Sequence, residues 1–328
     1  MKAGSKFSKI YSLKGKKIID LRYGENPHQK ASLYIIDPNS PMANLKFHGG
    51  RGSSLINLTD VNAGLEVVRM FKEPAAVVIK HNSPCGIALG DTITQALERA
   101  IDADSESAFG GIIVINKKLD LKTAQVIASF KDGKKGNIDI VAAPNADPKA
   151  IKLLKEVRKS MAIYTFGKLS QNKKKENIKW IEGGFIVQDA DDATDINRKN
   201  WTIPTQAKPN KDQLKQMEIG WKFISRIKSN TIVIMDKKLP MTRGIGSGQT
   251  SRFRSTKIAL DQAKKYCSGA ILVSDSFFPF GDSVKTAKKY KIGAIIQQGD
   301  SVNDKASIDE ADKANIPMVM THKRAFWH

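Results

Sequence analysis

The stretch AAVVIKHNSPCG, residues 75–86, decides the reading of this chain. Its first half is an unbroken apolar run rich in β-branched side chains. It ends abruptly in a basic, polar, proline-containing segment. Apolar residues without polar alternation mark a strand buried on both faces, as in a sheet covered by helices. Ser83-Pro84-Cys85-Gly86 then reads as a turn, followed by a helix over residues 93–102. On this reading Lys80 and His81 stand at the carboxyl end of a buried strand, where open α/β sheets bind ligands. A histidine there can accept a proton near neutral pH, and a neighbouring ammonium can stabilise developing negative charge. The plainer reading is a surface dipeptide at a strand end.

Outward from this stretch, strands and helices alternate. Apolar residues at Val61, Leu65, Val68 and Phe71 have helical spacing and predict a helix over residues 60–71. Strands are expected at residues 32–36, 110–116 and 138–143, with a helix at 121–130. Residues 169–212 turn polar, with a lysine cluster at 173–175 and prolines at 204 and 209, and read as a connection. Beyond it, helices at 213–228, 254–266, 282–290 and 307–314 alternate with strands at 232–236, 270–274, 294–297 and 317–320. The pattern predicts an α/β protein with an N-terminal lobe over residues 1–200 and a C-terminal lobe over 201–328, similar in kind.

The 328 residues carry a net charge of +21, and the excess is mostly lysine, 43 Lys against 11 Arg. The lysines are dispersed, which fits a solvated surface, or a positive field for small polyanionic substrates, better than the arginine and aromatic clusters of nucleic-acid readers. Neither nucleic acid nor membrane is therefore expected as a partner. No apolar run has the length of a bilayer span, and the basic start leads into no secretory h-region. With two cysteines, Cys85 and Cys267, a disulfide framework is excluded and a cytoplasmic location is expected.

Other segments leave alternatives open. Pro84-Cys85 resembles the turn of zinc deaminases, but Ala88 stands where the second cysteine belongs and no H-x-E precedes it, so no zinc is expected. Residues 244–249, GIGSGQ, could bring backbone amides to a phosphate, although the spacing is not the dinucleotide fingerprint. Residues 274–280, SDSFFPF, could frame a flat heterocycle or pack beneath a loop. Arg22 could hold a phosphate through two parallel hydrogen bonds, or lie in an ordinary polar turn.

Together, LRYGENPHQ (21–29), VIKHNSPCG (78–86), SAFGG (107–111), KSN (228–230), GIGSGQTSR (244–252), SDSFFPF (274–280) and the RxFxH ending resemble, in order, the AICAR transformylase domain of bifunctional purine-biosynthesis proteins. The resemblance runs over residues 18–328. It implies two cytidine-deaminase-like α/β lobes without zinc. It also implies formyl transfer from 10-formyltetrahydrofolate, as co-substrate, to the amine of AICAR. By the same resemblance His81 is the proton acceptor, Lys80 its electrostatic partner and Asn230 an orienting group. Arg22, Tyr23, Asn57, Gly110, Asp139 and Arg324 match substrate-binding positions. Phe277 and Phe280 would frame the rings, and His328 matches a terminal histidine beside a potassium region that includes Asp275. A homodimer with shared active sites is implied. Only a short segment precedes Arg22, so the IMP cyclohydrolase activity of the bifunctional proteins is expected from a separate protein. The stretch between Thr250 and Ser274 is more compact than in some members of the family. A catalytically inactive nucleotide- or nucleic-acid-binding relative is the alternative reading.

Overall fold

The computed structural model describes residues 7–130, 138–169, 176–192 and 196–328. The lysine cluster at 173–175 lies outside them. The chain begins with a hairpin of β1 (Lys16–Leu21) and β2 (Ala31–Ile35), then β3 (Lys46–Phe47). There follow α1 (Leu55–Val68), β4 (Ala75–Lys80), β5 (Ser83–Leu89), α2 (Ile93–Ala103), β6 (Ile112–Ile115), α3 (Leu121–Ser129), β7 (Ile140–Ala143), α4 (Pro148–Val157) and β8 (Ala162–Thr165). A second hairpin, β9 (Glu176–Ile181) and β10 (Gly184–Asp189), occupies part of the stretch expected to be connection. The chain continues with α5 (Lys211–Ile224), β11 (Ile232–Met235), β12 (Thr242–Gly246), α6 (Arg252–Ala263), β13 (Ile271–Ser274), α7 (Asp282–Lys289), β14 (Ala294–Gln297), α8 (Asp304–Lys313) and β15 (Met318–Met320).

Two larger sheets result, ordered β3-β8-β7-β6-β4-β5 and β12-β11-β13-β14-β15. They follow one plan. A helix leads into an antiparallel hairpin, β4–β5 or β11–β12. The first hairpin strand pairs antiparallel with the strand beyond the next helix, and two parallel strands, each reached through a helix, extend the sheet. The likeness of the two halves thus extends to strand order and direction.

The apolar run of β4 is continuous because both of its faces are covered. Ala76 and Val78 pack with Leu97, Ile127 and Leu154 under α2, α3 and α4. Val77 and Ile79 face a core shared with Leu65 of α1, Met217 and Phe223 of α5, and Val233 and Val273 of the second sheet. The far face of the second sheet packs Ile234, Leu272 and Ile295 against Leu260, Val284 and Ala311 of α6, α7 and α8. The layers run helix, sheet, helix, sheet, helix, with α1 and α5 in the middle. Full burial of each such aliphatic side chain contributes about 1.5–3 kcal/mol. Among the described residues no helix is long and apolar enough to cross a membrane.

The expected turn at residues 83–86 is absent. Ser83-Pro84-Cys85-Gly86 opens β5, and the chain reverses instead at His81-Asn82, whose φ angles are +54° and +59°. Two left-handed residues between paired strands make the type I′ hairpin turn. Proline is tolerated in β5 because this strand lies at the end of its sheet and the β4–β5 register shifts beside it, between Val78 and Ile79. Glycine is needed at 86 because a Cβ there would lie 2.1 Å from the Ala100 carbonyl oxygen of α2. Proline and glycine here mark an edge and a close approach, not a reversal.

Candidate active site

Lys80 ends β4, and its Nζ donates to the Phe109 carbonyl at 2.9 Å. That tether joins it to the SAFGG segment, where Gly110 takes φ +69° with open space around its missing side chain. Backbone conformation, not crowding, requires glycine there. His81 stands exposed at the tip of the turn. Beneath it lies Asp60 of α1, only 3% exposed, whose carboxylate accepts the Asn82 amide at 2.6 Å. Burial pushes the Asp60 carboxyl above its ordinary range, against the opposing pull of the Asn82 and His81 amides and the His81 ring.

Asn57 precedes Asp60 by three residues, on the same face of α1. It is the third residue of the helix, and its Oδ1 accepts the Ser54 amide at 3.0 Å in a reciprocal cap. Tyr23 reaches the same helix start, its carbonyl accepting the Leu55 amide at 3.1 Å. The Arg22 guanidinium lies 4.9 Å over the Tyr23 ring while its Nε donates to the Gly52 carbonyl. Asp139, just before β7, donates its amide to the Gly111 carbonyl at 3.0 Å, and its carboxylate pairs with Arg158 at 2.8 Å. Arg22, Tyr23, Asn57, Lys80, His81, Gly110 and Asp139 therefore form one neighbourhood. It lies where β4 ends and β6 and β7 begin.

The remaining expected residues gather in the second sheet, where β11 begins and β13 and β15 end. Asn230 accepts from Arg252 Nη2 at 2.8 Å and donates to the Gln249 carbonyl at 2.9 Å. Arg252 also binds the Thr231 carbonyl at 2.9 Å and the carboxylate of Asp275, which is fully buried. Asp275 further accepts the Ser229 hydroxyl at 2.5 Å and the Thr231 amide at 3.0 Å. Its carbonyl accepts the Ala325 amide at 2.9 Å, which fixes the chain end carrying Arg324 and His328. Arg324 is exposed and stacks on Phe326, with its guanidinium 4.5 Å from the ring centre. In the aromatic loop Phe278 is wholly buried in the core, Phe277 half-buried and Phe280 62% exposed. The two anticipated framing rings are thus the two that remain accessible. Within one chain, helix α1 of the His81 neighbourhood meets this one through Arg226, which pairs with Glu66 at 3.8 Å and lies 4.8 Å from the Trp327 ring centre.

Two motifs have structural explanations. Gly244 and Gly246 lie within β12, where a Cβ on either would come within 2.0 Å of a backbone carbonyl oxygen of α6. They permit strand–helix packing and are the counterpart of Gly86 in the first sheet. Burial pushes the Cys85 thiol up to about 12 and that of Cys267 up to about 11, so both stay protonated at neutral pH. Among the described residues no group of three or more His, Cys, Asp or Glu side chains is placed to hold a metal ion. Sequence reasoning missed Asp60, Arg158 and Arg252. Asp60 had a legible signal: a carboxylate on the buried stripe of an apolar helix, next to Val61 and four residues from Gly64.

The family model for the AICARFT/IMPCHase bienzyme matches residues 1–262. A protein named bifunctional purine biosynthesis protein PurH, from Halalkalibacterium halodurans, is 39% identical over 311 residues, covering 94% of this chain and 59% of that protein. Its namesake from Trichodesmium erythraeum is 42% identical over 322 residues, covering 97% and 60%. That from Caldicellulosiruptor saccharolyticus is 39% identical over 312 residues, covering 94% and 59%. The chain spans about three-fifths of the length of these curated relatives. On the extent of these matches, the chain belongs to the AICARFT/IMPCHase bienzyme family.

Proposed function

We propose that the protein transfers the formyl group of 10-formyltetrahydrofolate to the exocyclic amine of AICAR, giving FAICAR and tetrahydrofolate, within cytoplasmic purine biosynthesis. Family membership supports this reading. The observation that carries it is the exposed His81 imidazole beside the tethered Lys80 ammonium, in one neighbourhood with Arg22, Tyr23 and Asn57.

The amine is a poor nucleophile because its lone pair is delocalised into the imidazole carboxamide. Its nitrogen attacks the formyl carbon and forms a tetrahedral oxyanion, while His81 accepts the amine proton. The bond from the formyl carbon to the folate nitrogen then breaks, and the departing nitrogen takes up a proton. Atoms balance with no external oxidant or reductant. Lys80 supplies positive charge to the oxyanion or the leaving nitrogen. Arg22 and Arg324 bind the nucleotide phosphate, Tyr23, Asn57, Gly110 and Asp139 contact the substrates, and Phe277 and Phe280 border the ring systems. Asn230, itself gripped by Arg252, orients the carboxamide or formyl group.

Three finer readings accompany the reaction. The shared strand plan supports two cytidine-deaminase-like lobes. The family resemblance supports a homodimer whose sites draw on both copies. The Asp275 carboxylate and the Ser229 hydroxyl bonded to it are oxygen ligands that suit a hard monovalent cation such as potassium, in competition with Arg252. When bound, the ion would supply positive charge beside the chain end that carries His328. The reaction is tested by following tetrahydrofolate absorbance with AICAR and 10-formyltetrahydrofolate and identifying FAICAR by mass. Folate release that occurs equally without AICAR would defeat the proposal.

A further inference from the structure

The turn that presents His81 is conformationally demanding. Both of its central residues are left-handed without being glycine, at φ +54° and +59°. Asparagine tolerates this region well, and histidine does so less readily. The turn is exposed, so packing above does not hold it. It is held from below, by a carboxylate on a different element. Asp60 comes from α1, is 3% exposed, and accepts the Asn82 amide at 2.6 Å. A short charge-assisted bond of this kind is roughly twice as strong as a neutral one.

We propose that Asp60 is a positioning residue for formyl transfer, its buried carboxylate clamping the Asn82 amide of the His81–Asn82 turn and so fixing where the imidazole points. The proposal rests on His81 being the proton acceptor. Burying a carboxylate is costly, and an ordinary strand turn does not need one. Here the carboxylate is placed on the face of α1 that also carries Asn57, one turn earlier. The clamp thereby ties the position of the imidazole to the helix start that meets Tyr23 and, through it, Arg22. The other ionisable groups around the clamp are Lys80 of β4, Cys85 of β5 and Asp104 after α2. Lys80 is engaged by the Phe109 carbonyl. Cys85 stays a neutral thiol, and the Asp104 carboxylate holds Gln262 at 2.6 Å and the Ser107 amide at 2.9 Å. Asp60 is the carboxylate that binds the turn.

The test compares Asp60→Asn, which keeps an oxygen acceptor and nearly the same shape, with Asp60→Ala. Hydrogen exchange of a peptide spanning the turn is measured by mass spectrometry, alongside kcat, the KM for AICAR and exchange of the rest of the chain. The clamp predicts turn exchange about tenfold faster in Asp60→Ala, with a smaller change in Asp60→Asn. It predicts kcat reduced on the order of a hundredfold in Asp60→Ala and less in Asp60→Asn, with KM within about twofold, because misplacing a catalytic group by an ångström costs rates of that order. Should Asp60→Ala loosen the whole fold, Asp60→Asn decides: unchanged turn exchange and unchanged kcat would overturn the proposal. A wild-type protein without transferase activity would defeat the proposed reaction, while turn exchange would still decide whether the clamp exists.

Discussion

Single side chains show how far chemistry can be separated from packing here. Cys85 lies among the residues around the His81 turn, yet burial keeps its thiol protonated. Alkylating reagents at neutral pH should therefore label neither Cys85 nor Cys267 in the native protein and both after unfolding, as read by intact mass. Fast labelling of native Cys85 would contradict this environment. Lys80 and His81 were legible because an abrupt change from apolar to basic residues marks a strand end. The turn geometry was not legible, because a histidine with positive φ is set by the strand pairing on either side and by Asp60, which lies 22 residues from its bonded partner Asn82. Arg158 and Arg252 were missed for the same reason: their partners come from other elements. The aromatic loop could be read two ways, and both applied, since Phe278 is core while Phe280 is exposed.

Among the elements, strands buried on both faces were the most readable and edge strands the least. β4, β11, β13 and β14 are largely apolar runs, whereas β5 carries a proline and β12 two glycines, at 244 and 246. The close approach of β12 to α6 makes a strong prediction. Gly246→Ala places a methyl group against the Ser255 carbonyl and should destabilise the protein by about 1–3 kcal/mol in urea unfolding. A neutral effect would show that α6 can move away. The loop between β11 and β12 makes a pH-dependent one. Burial raises the Asp236 carboxyl, but the Leu239 and Lys238 amides and Arg243 outweigh it and leave it below its ordinary value. A carboxyl depressed in the folded state stabilises above its unfolded pKa, and that contribution is lost as pH falls through the folded one. Asp236→Asn should therefore cost about 1–3 kcal/mol at neutral pH, with the gap from wild type closing as pH falls below about 4. A gap independent of pH would show that shape, not charge, is what Asp236 contributes. Helix α4 and strand β8 had no sequence-based expectation, although Asp147-Pro148 is a helix-start signal.

For the whole molecule, the two sheets meet along β5 and β12. The Leu89 amide donates to the Pro240 carbonyl at 2.9 Å, the Ile87 amide to the Thr242 hydroxyl at 3.1 Å, and Arg243 bridges Asp236 and Asp102, each at 2.7 Å. This seam joins the halves. If two copies complete each site, the protein should sediment at twice the chain's 36.1 kDa. Mixed dimers of His81→Ala and Arg324→Ala should then recover activity that neither variant has alone, because one of the two sites is restored. A monomeric active enzyme would contradict shared sites. The central claim, that His81 takes the amine proton, is tested most directly by measuring kcat and AICAR affinity together in His81→Ala. The predicted result is turnover reduced by about a hundredfold to ten-thousandfold with nucleotide binding retained; turnover equal to wild type would contradict it.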